Sequence, residues 1–290
     1  MARFTRTVES CPDSGAELNS RKIRTVFCTS GGFIGSVLLR RLLSDEDIEV
    51  IGIVRSCRVF SPKMNFVRGA LQFFYRCGIP YTIYLWLITT IPEFIGLFLR
   101  DCHGSTLGIA KKHAIPVLTT RDINSLSGEN FIHDLKPELL ITAFFDQKLG
   151  LPFCDGANYA AVNIHPSFLP FNKGVDPVFH ALLDGDSTSG VTVHRINENF
   201  DSGAILQQKQ VVIDPGWSVL FASITLMCHG MELLLKSKDL LLNRKAGVPQ
   251  AEPGNYESWP TPKKVRALYF HGKFLLKLHD IKEYRVLELT

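Results

Sequence analysis

The sequence predicts an α/β fold: a mostly parallel sheet with helices on both faces. Two observations carry this. Short, nearly continuous apolar runs recur along the chain, and the stretches between them place apolar residues at helical spacing. Strands buried on both faces read as continuous rather than alternating hydrophobic runs, which is the pattern of parallel sheets. At 290 residues, 46% of them hydrophobic, the chain is also long enough to bury one large core.

The elements follow in order. Residues 25–29 form the first strand, Gly31 and Gly32 turn it, and 34–43 make an apolar-faced helix. Further strands fall at 49–54, 115–118, 139–144, 160–164, 191–196 and 205–213, with helices at 105–113, 128–135, 177–184 and 218–242. A short helix from Pro262 and a strand at 274–278 close the chain. Residues 1–20 are polar, lack the apolar core of a secretory signal and read as a flexible tail. Residues 21–246 then form the main domain and 247–290 a short C-terminal extension.

Composition narrows the function classes. A net charge of +4 with acids and bases interspersed speaks against a nucleic-acid partner, which leaves a clustered basic patch. Seven cysteines, an odd number without a C-x-x-C pair, point to reduced thiols in a cytoplasmic setting rather than a disulfide framework or a zinc site.

Residues 65–100 interrupt the alternation as an insertion longer than a crossover needs. Between 78 and 99 they carry one charge, Glu93. About 20 apolar residues can span a bilayer, but Pro80 and Pro92 break the run and both flanks belong to one sheet. Two readings stay open: a buried, self-packed helical insertion, or a hairpin that contacts a membrane surface or a protein, which would make the chain peripheral to a membrane.

Several motifs fall short of specific chemistry. The turn from Thr29 to Gly35 follows a strand and opens a helix, yet G-x-G-x-x-G is not met and the second strand leads into Arg55 instead of an acidic ribose ligand. It reads as a tight turn whose Gly31 and Gly32 amides are available to a substrate anion. His165, His180 and His194 are too scattered for a metal site, so no metal is expected. No G-x-S-x-G elbow is present, and Ser167 reads as a brace of its loop.

One constellation remains. The run Asn163-Ile164-His165-Pro166-Ser167-Phe168-Leu169-Pro170 ends an apolar strand, and Asn199-Phe200-Asp201-Ser202-Gly203 follows a later one. Each polar residue alone has a packing explanation. Together, an amide, an imidazole and a carboxylate beyond the carboxyl ends of strands make a proton-handling site.

These runs, with Lys173-Gly174 and Gly190-Val191-Thr192-Val193-His194, resemble the folate-dependent formyltransferase family. The likeness covers roughly 23–240 and is strongest from 139 to 206. It implies a Rossmann-like, formyltransferase-type sheet, with the family's signature asparagine, histidine and aspartate at Asn163, His165 and Asp201. It implies transfer of a formyl group from 10-formyltetrahydrofolate, the formyl-donor cosubstrate, to an amine. Asn163 and a protonated His165 then donate to the formyl oxygen, and Asp201 accepts the amine proton. The folate is expected against Phe144, Phe145, Gln147, Leu149, Asn199 and Phe200; the acceptor against Gly31, Gly32, Ser167, Lys173 and Gly174.

The expected acceptor is a small-molecule amine: an amino sugar nucleotide, a hydroxyornithine-type compound or an amino-acyl compound. Methionyl-tRNA formylation, hydrolysis of 10-formyltetrahydrofolate, and a non-catalytic membrane-associated role are the alternatives. The first turn departs from the glycine-rich phosphate loop of the purine enzyme. The last forty or so residues are short for the barrel-like tRNA-binding domain of the methionyl-tRNA enzymes, and the insertion has no counterpart in the well-known members.

Overall fold

The structure, a computed structural model, describes residues 21–58, 66–98, 104–154, 159–243, 246–250 and 254–280. The 1–20 tail, residues 65 and 99–100 of the insertion, and 251–253 and 281–290 of the extension lie outside the described residues.

In chain order the elements are β1 (Ile23–Thr29), α1 (Gly32–Ser44), β2 (Ile48–Ser56), α2 (Phe66–Cys77), α3 (Ile79–Leu85), a π-helical turn (Trp86–Thr90), α4 (Ile91–Phe98), α5 (Thr106–Lys112), β3 (Val117–Thr120), α6 (Leu126–Leu135), β4 (Leu139–Ala143), β5 (Ala160–His165), β6 (Lys173–Gly174), α7 (Pro177–Asp184), β7 (Thr188–Arg195), β8 (Ile205–Val212), α8 (Val219–Lys236), α9 (Lys238–Leu242), β9 (Tyr256–Glu257) and α10 (Pro262–Phe270). The main sheet has seven strands in the order β3-β2-β1-β4-β5-β7-β8. The first five are mutually parallel, β7 runs against β5, and β8 runs against β7.

The continuous apolar runs are explained by two-sided burial. Phe27 of β1 and Ile141 of β4 enter one core cluster, with α1 and α8, while Val26, Cys28 and Leu140 enter a second, with Ile132 of α6. Successive side chains point to opposite faces, so a strand covered on both sides needs apolar residues at every position. At one edge β8 carries Gln207, Gln208, Lys209 and Gln210, and polar or charged residues on an edge strand discourage pairing with other chains.

Three of the departures from the expected elements have a local cause. β3 begins at Val117 rather than residue 115, because Pro116 has no N–H and enters the ladder only through its carbonyl, which accepts from Ile53 N at 3.0 Å. The 218–242 helix divides at Ser237 into α8 and α9. Residues 274–278 form no strand; the Phe274 and Leu275 carbonyls accept from Val219 and Leu220 N–H at 2.9 and 3.0 Å, satisfying donors that the first turn of α8 leaves unpaired.

The insertion is helical, as expected. Its inner side packs Tyr81 against Phe73, Trp259 and Phe179, with Ile88 also buried. Behind the strand that carries Asn163 and His165, α8 comes close only because residue 230 is glycine. A Cβ there would lie 2.3 Å from Ile164 Cγ2 and 2.6 Å from Val191 Cγ2.

Candidate active site

Residues two apart on a strand share a face, so β5 presents Asn163 and His165 side by side. The antiparallel register sets His194 of β7 directly opposite Asn163. The expectation that Asp201 also follows the carboxyl end of a parallel strand is corrected: β7 runs the other way, and Asp201 reaches the face from the β7–β8 connection. Its backbone turns with a left-handed φ of 49°, a conformation that costs a non-glycine residue energy and persists where surroundings fix it. Here Gly174 N donates to Asp201 Oδ2 at 2.9 Å, and Gln250 Nε2 donates to the Asp201 and Gly203 carbonyls, both at 2.8 Å.

The hydrogen bonds orient every member. Asn163 Oδ1 accepts from Thr142 Oγ1 at 2.7 Å, which aims the amide nitrogen at Asp201 Oδ1 (3.3 Å) and His194 Nε2 (3.0 Å). His194 Nδ1 faces the Arg195 carbonyl at 2.8 Å and must carry the proton, so Nε2 accepts from Asn163. Burial, opposed in part by the Asp201 charge, pulls the His194 pKa down to about 4. The ring is therefore neutral near pH 7, and its 3.8 Å approach to Asp201 Oδ1 is no ion pair. His165 Nε2 donates to the Asn172 carbonyl at 2.9 Å and its Nδ1 lies 3.5 Å from Asp201 Oδ1. Asp201 thus stands between amide and imidazole with a side chain only 10% exposed.

The remaining expected residues divide. Phe144, half-buried, directly follows the β4 residue paired with Ile164, and so sits beside the cluster; Phe145 packs on the second core cluster. Asn199 and Phe200 are exposed on the loop that delivers Asp201. Gln147 keeps its side chain in the core: it is buried, its oxygen accepts from Ile123 N at 2.7 Å, and its nitrogen donates to Ser56 Oγ and the Thr120 carbonyl, which leaves only its backbone to face a ligand. Leu149 is likewise a core residue. Ser167 is buried and spends its hydroxyl on the Phe171 carbonyl at 2.8 Å, a brace and not an acceptor contact. Lys173 and Gly174 form β6, pair with β9, and act on the site through the Gly174 N–H that holds Asp201.

Gly31 and Gly32 are corrected most sharply. Their turn does bind an anion, but the anion belongs to the chain. Glu93 of α4 accepts from Gly32 N (2.7 Å), Thr106 N (2.9 Å), Leu107 N (2.9 Å) and Ser105 Oγ (3.0 Å). One carboxylate thus satisfies orphan donors at the starts of both α1 and α5.

Sequence reasoning left His194, Thr142 and Gln250 without site roles. His194 and Thr142 lie inside apolar strands and become partners of Asn163 only through the registers of β7 and β4. For Glu93 the signal was present: a lone carboxylate in an apolar run needs buried donors.

Residues 110–220 match the family model described as formyl transferase. Methionyl-tRNA formyltransferase of Lactobacillus acidophilus is 33% identical over 130 residues, 44% of this chain and 41% of that protein. The enzyme of the same name from Levilactobacillus brevis is 35% identical over 147 residues, 50% of this chain and 46% of that protein. That from Anaplasma marginale is 30% identical over 193 residues, 62% of this chain and 63% of that protein. Each match thus spans less than two thirds of the relative's length.

Among solved structures, glycinamide ribonucleotide transformylase 1 from Symbiobacterium toebii superposes with a TM-score of 0.53 at 16% identity, over 82% of this chain and all of that one (100%). An N-formyltransferase from Helicobacter canadensis, in complex with folinic acid and dTDP-3-aminofucose, gives 0.52 at 16% identity, over 82% of this chain and 71% of that one. At such identities the likeness is one of fold. The α/β sheet is shared with these proteins, and the segment that matches the formyl transferase family model, residues 110–220, is the one that holds Asn163, His165, His194 and Asp201.

Proposed function

We propose that the chain transfers a formyl group from 10-formyltetrahydrofolate to the amine of a small-molecule acceptor. The convergence of Asn163, His165 and Asp201 on one face of β5 carries this reading. The acceptor nitrogen forms a bond to the formyl carbon, and charge develops on the formyl oxygen. Asn163 meets that charge by turning an N–H from its long 3.3 Å bond with Asp201, and His165 supplies a second donor. A preorganised donor of this kind is worth about 3 kcal/mol of barrier. Asp201 takes the amine proton as its nitrogen becomes an amide. The bond from the formyl carbon to the folate nitrogen then breaks, and that nitrogen leaves protonated as tetrahydrofolate. The donor class is supported by the family match; the same-fold Helicobacter canadensis protein was solved with folinic acid, which makes a folate the first donor to test.

Acceptor choice is assigned away from the first turn, because Glu93 fills it. On the other side, Asn172, whose carbonyl holds His165, lines an open depression of about 420 Å³ with Phe171, Asp186, Gly254 and Asn255. Asp201→Asn should lower turnover by about a hundredfold to ten-thousandfold, the usual weight of a positioned acid or base, while donor binding stays nearly intact. The measurement is tetrahydrofolate release across a panel of amines; normal turnover by the variant would sink the mechanism, and formate release without any amine would make the activity hydrolysis.

A second reading, formylation of initiator methionyl-tRNA, is favoured by the names of the curated relatives. It predicts tRNA binding that weakens steeply with salt, and tRNA-dependent consumption of the formyl donor.

A further inference from the structure

We propose that the outward face of α2, α3 and α4 docks on an anionic lipid bilayer. This docking does not depend on which acceptor is formylated.

A helix on a water-exposed surface normally turns a polar stripe outward. In α2, Phe73 and Cys77 face inward, yet the outward positions include Val67, Leu71 and Tyr75, exposed by 65, 52 and 88%. From Ile79 to Phe98, Tyr81, Tyr84, Ile88 and Gly96 face the core. The outward positions include Trp86, Phe94 and Phe98, exposed by 52, 60 and 70%. The run from Ile79 to Phe98 is therefore apolar on both sides, and packing against the domain covers only one, while α2 sets Arg68, Gln72 and Arg76 among its exposed apolar residues. Apolar faces of this extent mark interaction surfaces.

Charge selects the occupant. The only charged residues from 66 to 98 are Arg68, Arg76 and Glu93. Glu93 is 3% exposed and spends its carboxylate on the α1 and α5 amides. Among the described residues of the segment the exposed charges are thus those of Arg68 and of Arg76, which also donates to Ser258 Oγ at 2.9 Å, with no exposed acid beside them, a balance that complements anionic headgroups. An isologous contact with a second copy would set this cationic, acid-free face against itself. Tyr75 and Trp86 have rings of the type that concentrates at the membrane–water boundary.

The geometry also sets the mode of contact. Ile79–Phe98 is 20 residues long with a mean hydropathy of 1.3, enough to cross a bilayer by length and composition. But Glu93 ties α4 to two helix starts, and Tyr81 donates to Asp176 Oδ2 at 2.6 Å. The run is held against the domain and lies along the surface as an interfacial element.

The test is flotation of the full chain with vesicles of phosphatidylcholine and phosphatidylglycerol in equal parts, against phosphatidylcholine alone. The wild type should bind the anionic vesicles more tightly, and added salt should weaken that preference. Replacing Trp86, Phe94 and Phe98 together by serine should reduce binding at least tenfold. Arg68→Glu, a single exposed change, should reduce it severalfold at low salt. In wild-type protein, vesicles should shift tryptophan emission to the blue, and Trp86→Phe should remove that shift. Absence of vesicle binding by wild type, equal binding by the triple-serine variant, or a concentration-dependent dimer abolished by the same three changes would overturn the proposal.

Discussion

At the residue scale, the site is built on one amide whose hydrogen-bonding capacity is almost fully assigned. Thr142 fixes which end of Asn163 is oxygen, and His194 and Asp201 divide the two N–H groups. His194 can play its part only as a neutral ring, since a proton on Nε2 would abolish the acceptor. The fold enforces this, because burial lowers its pKa from 6.5 to about 4. The sign follows: between those values the unfolded chain binds the proton and the folded chain does not, so stability is full above pH 6.5 and falls as pH drops. The slope is about 1.4 kcal/mol per pH unit, or on the order of 3 kcal/mol over the window. His194→Gln, whose side-chain oxygen can still accept from Asn163, should flatten the dependence of the urea midpoint between pH 6.5 and 4.5. A slope unchanged by the substitution would show that the ring is not held neutral. Asn163, His165 and Asp201 were legible from sequence because reactive side chains at strand ends stand out against apolar runs. His194 was not, since its role depends on the β5–β7 register and on β7 reversing direction.

At the element scale, the insertion shows how a legible segment can have an illegible attachment. The apolar run was evident, and so was its interruption by Pro80 and Pro92, yet α3, the π-helical turn and α4 continue through both prolines' neighbourhood. What the run attaches to is set by Glu93, which lies 61 residues from Gly32 in sequence and 2.7 Å from its amide in space. A glycine at 32 is needed as well: its φ is +66°, and a Cβ would lie 2.0 Å from the Ile88 carbonyl oxygen. Removing the carboxylate leaves several buried donors unsatisfied, each costing about 1–3 kcal/mol. Glu93→Ala should therefore destabilise the protein by several kcal/mol, on the order of 4, and Glu93→Gln by less, since its amide keeps one accepting oxygen. Urea unfolding reads both. If alanine and glutamine proved equally mild, the carboxylate would not be the clamp between α4, α1 and α5.

At the scale of the whole molecule, alternating strands and helices made the parallel α/β sheet readable. The C-terminal stretch was legible only as an extension, because what it does depends on contacts across the chain. It returns to the site: Val248 bridges Ile205, β9 pairs with β6, Asn255 bonds Asn172 through both side chains and backbone, and α10 packs behind the insertion. Through Asn172 and Gly174 this return fixes the partners of both His165 and Asp201. Gln250 makes the most direct link, since its amide clamps the carbonyls on either side of Ser202 and so holds the left-handed turn at Asp201. Losing that clamp frees the backbone that aims the Asp201 carboxylate, and a misplacement of about 1 Å in a reacting group can cost a hundredfold in rate. Gln250→Ala should then lower kcat by about tenfold to a hundredfold, with a smaller change in KM for the formyl donor and a melting temperature within a few degrees of wild type. Gln250→Glu offers no N–H to either carbonyl and should not rescue. A Gln250→Ala enzyme with unchanged kcat would mean that Gly174, held by the β6–β9 pairing, suffices to position Asp201, leaving Gln250 with a structural role only.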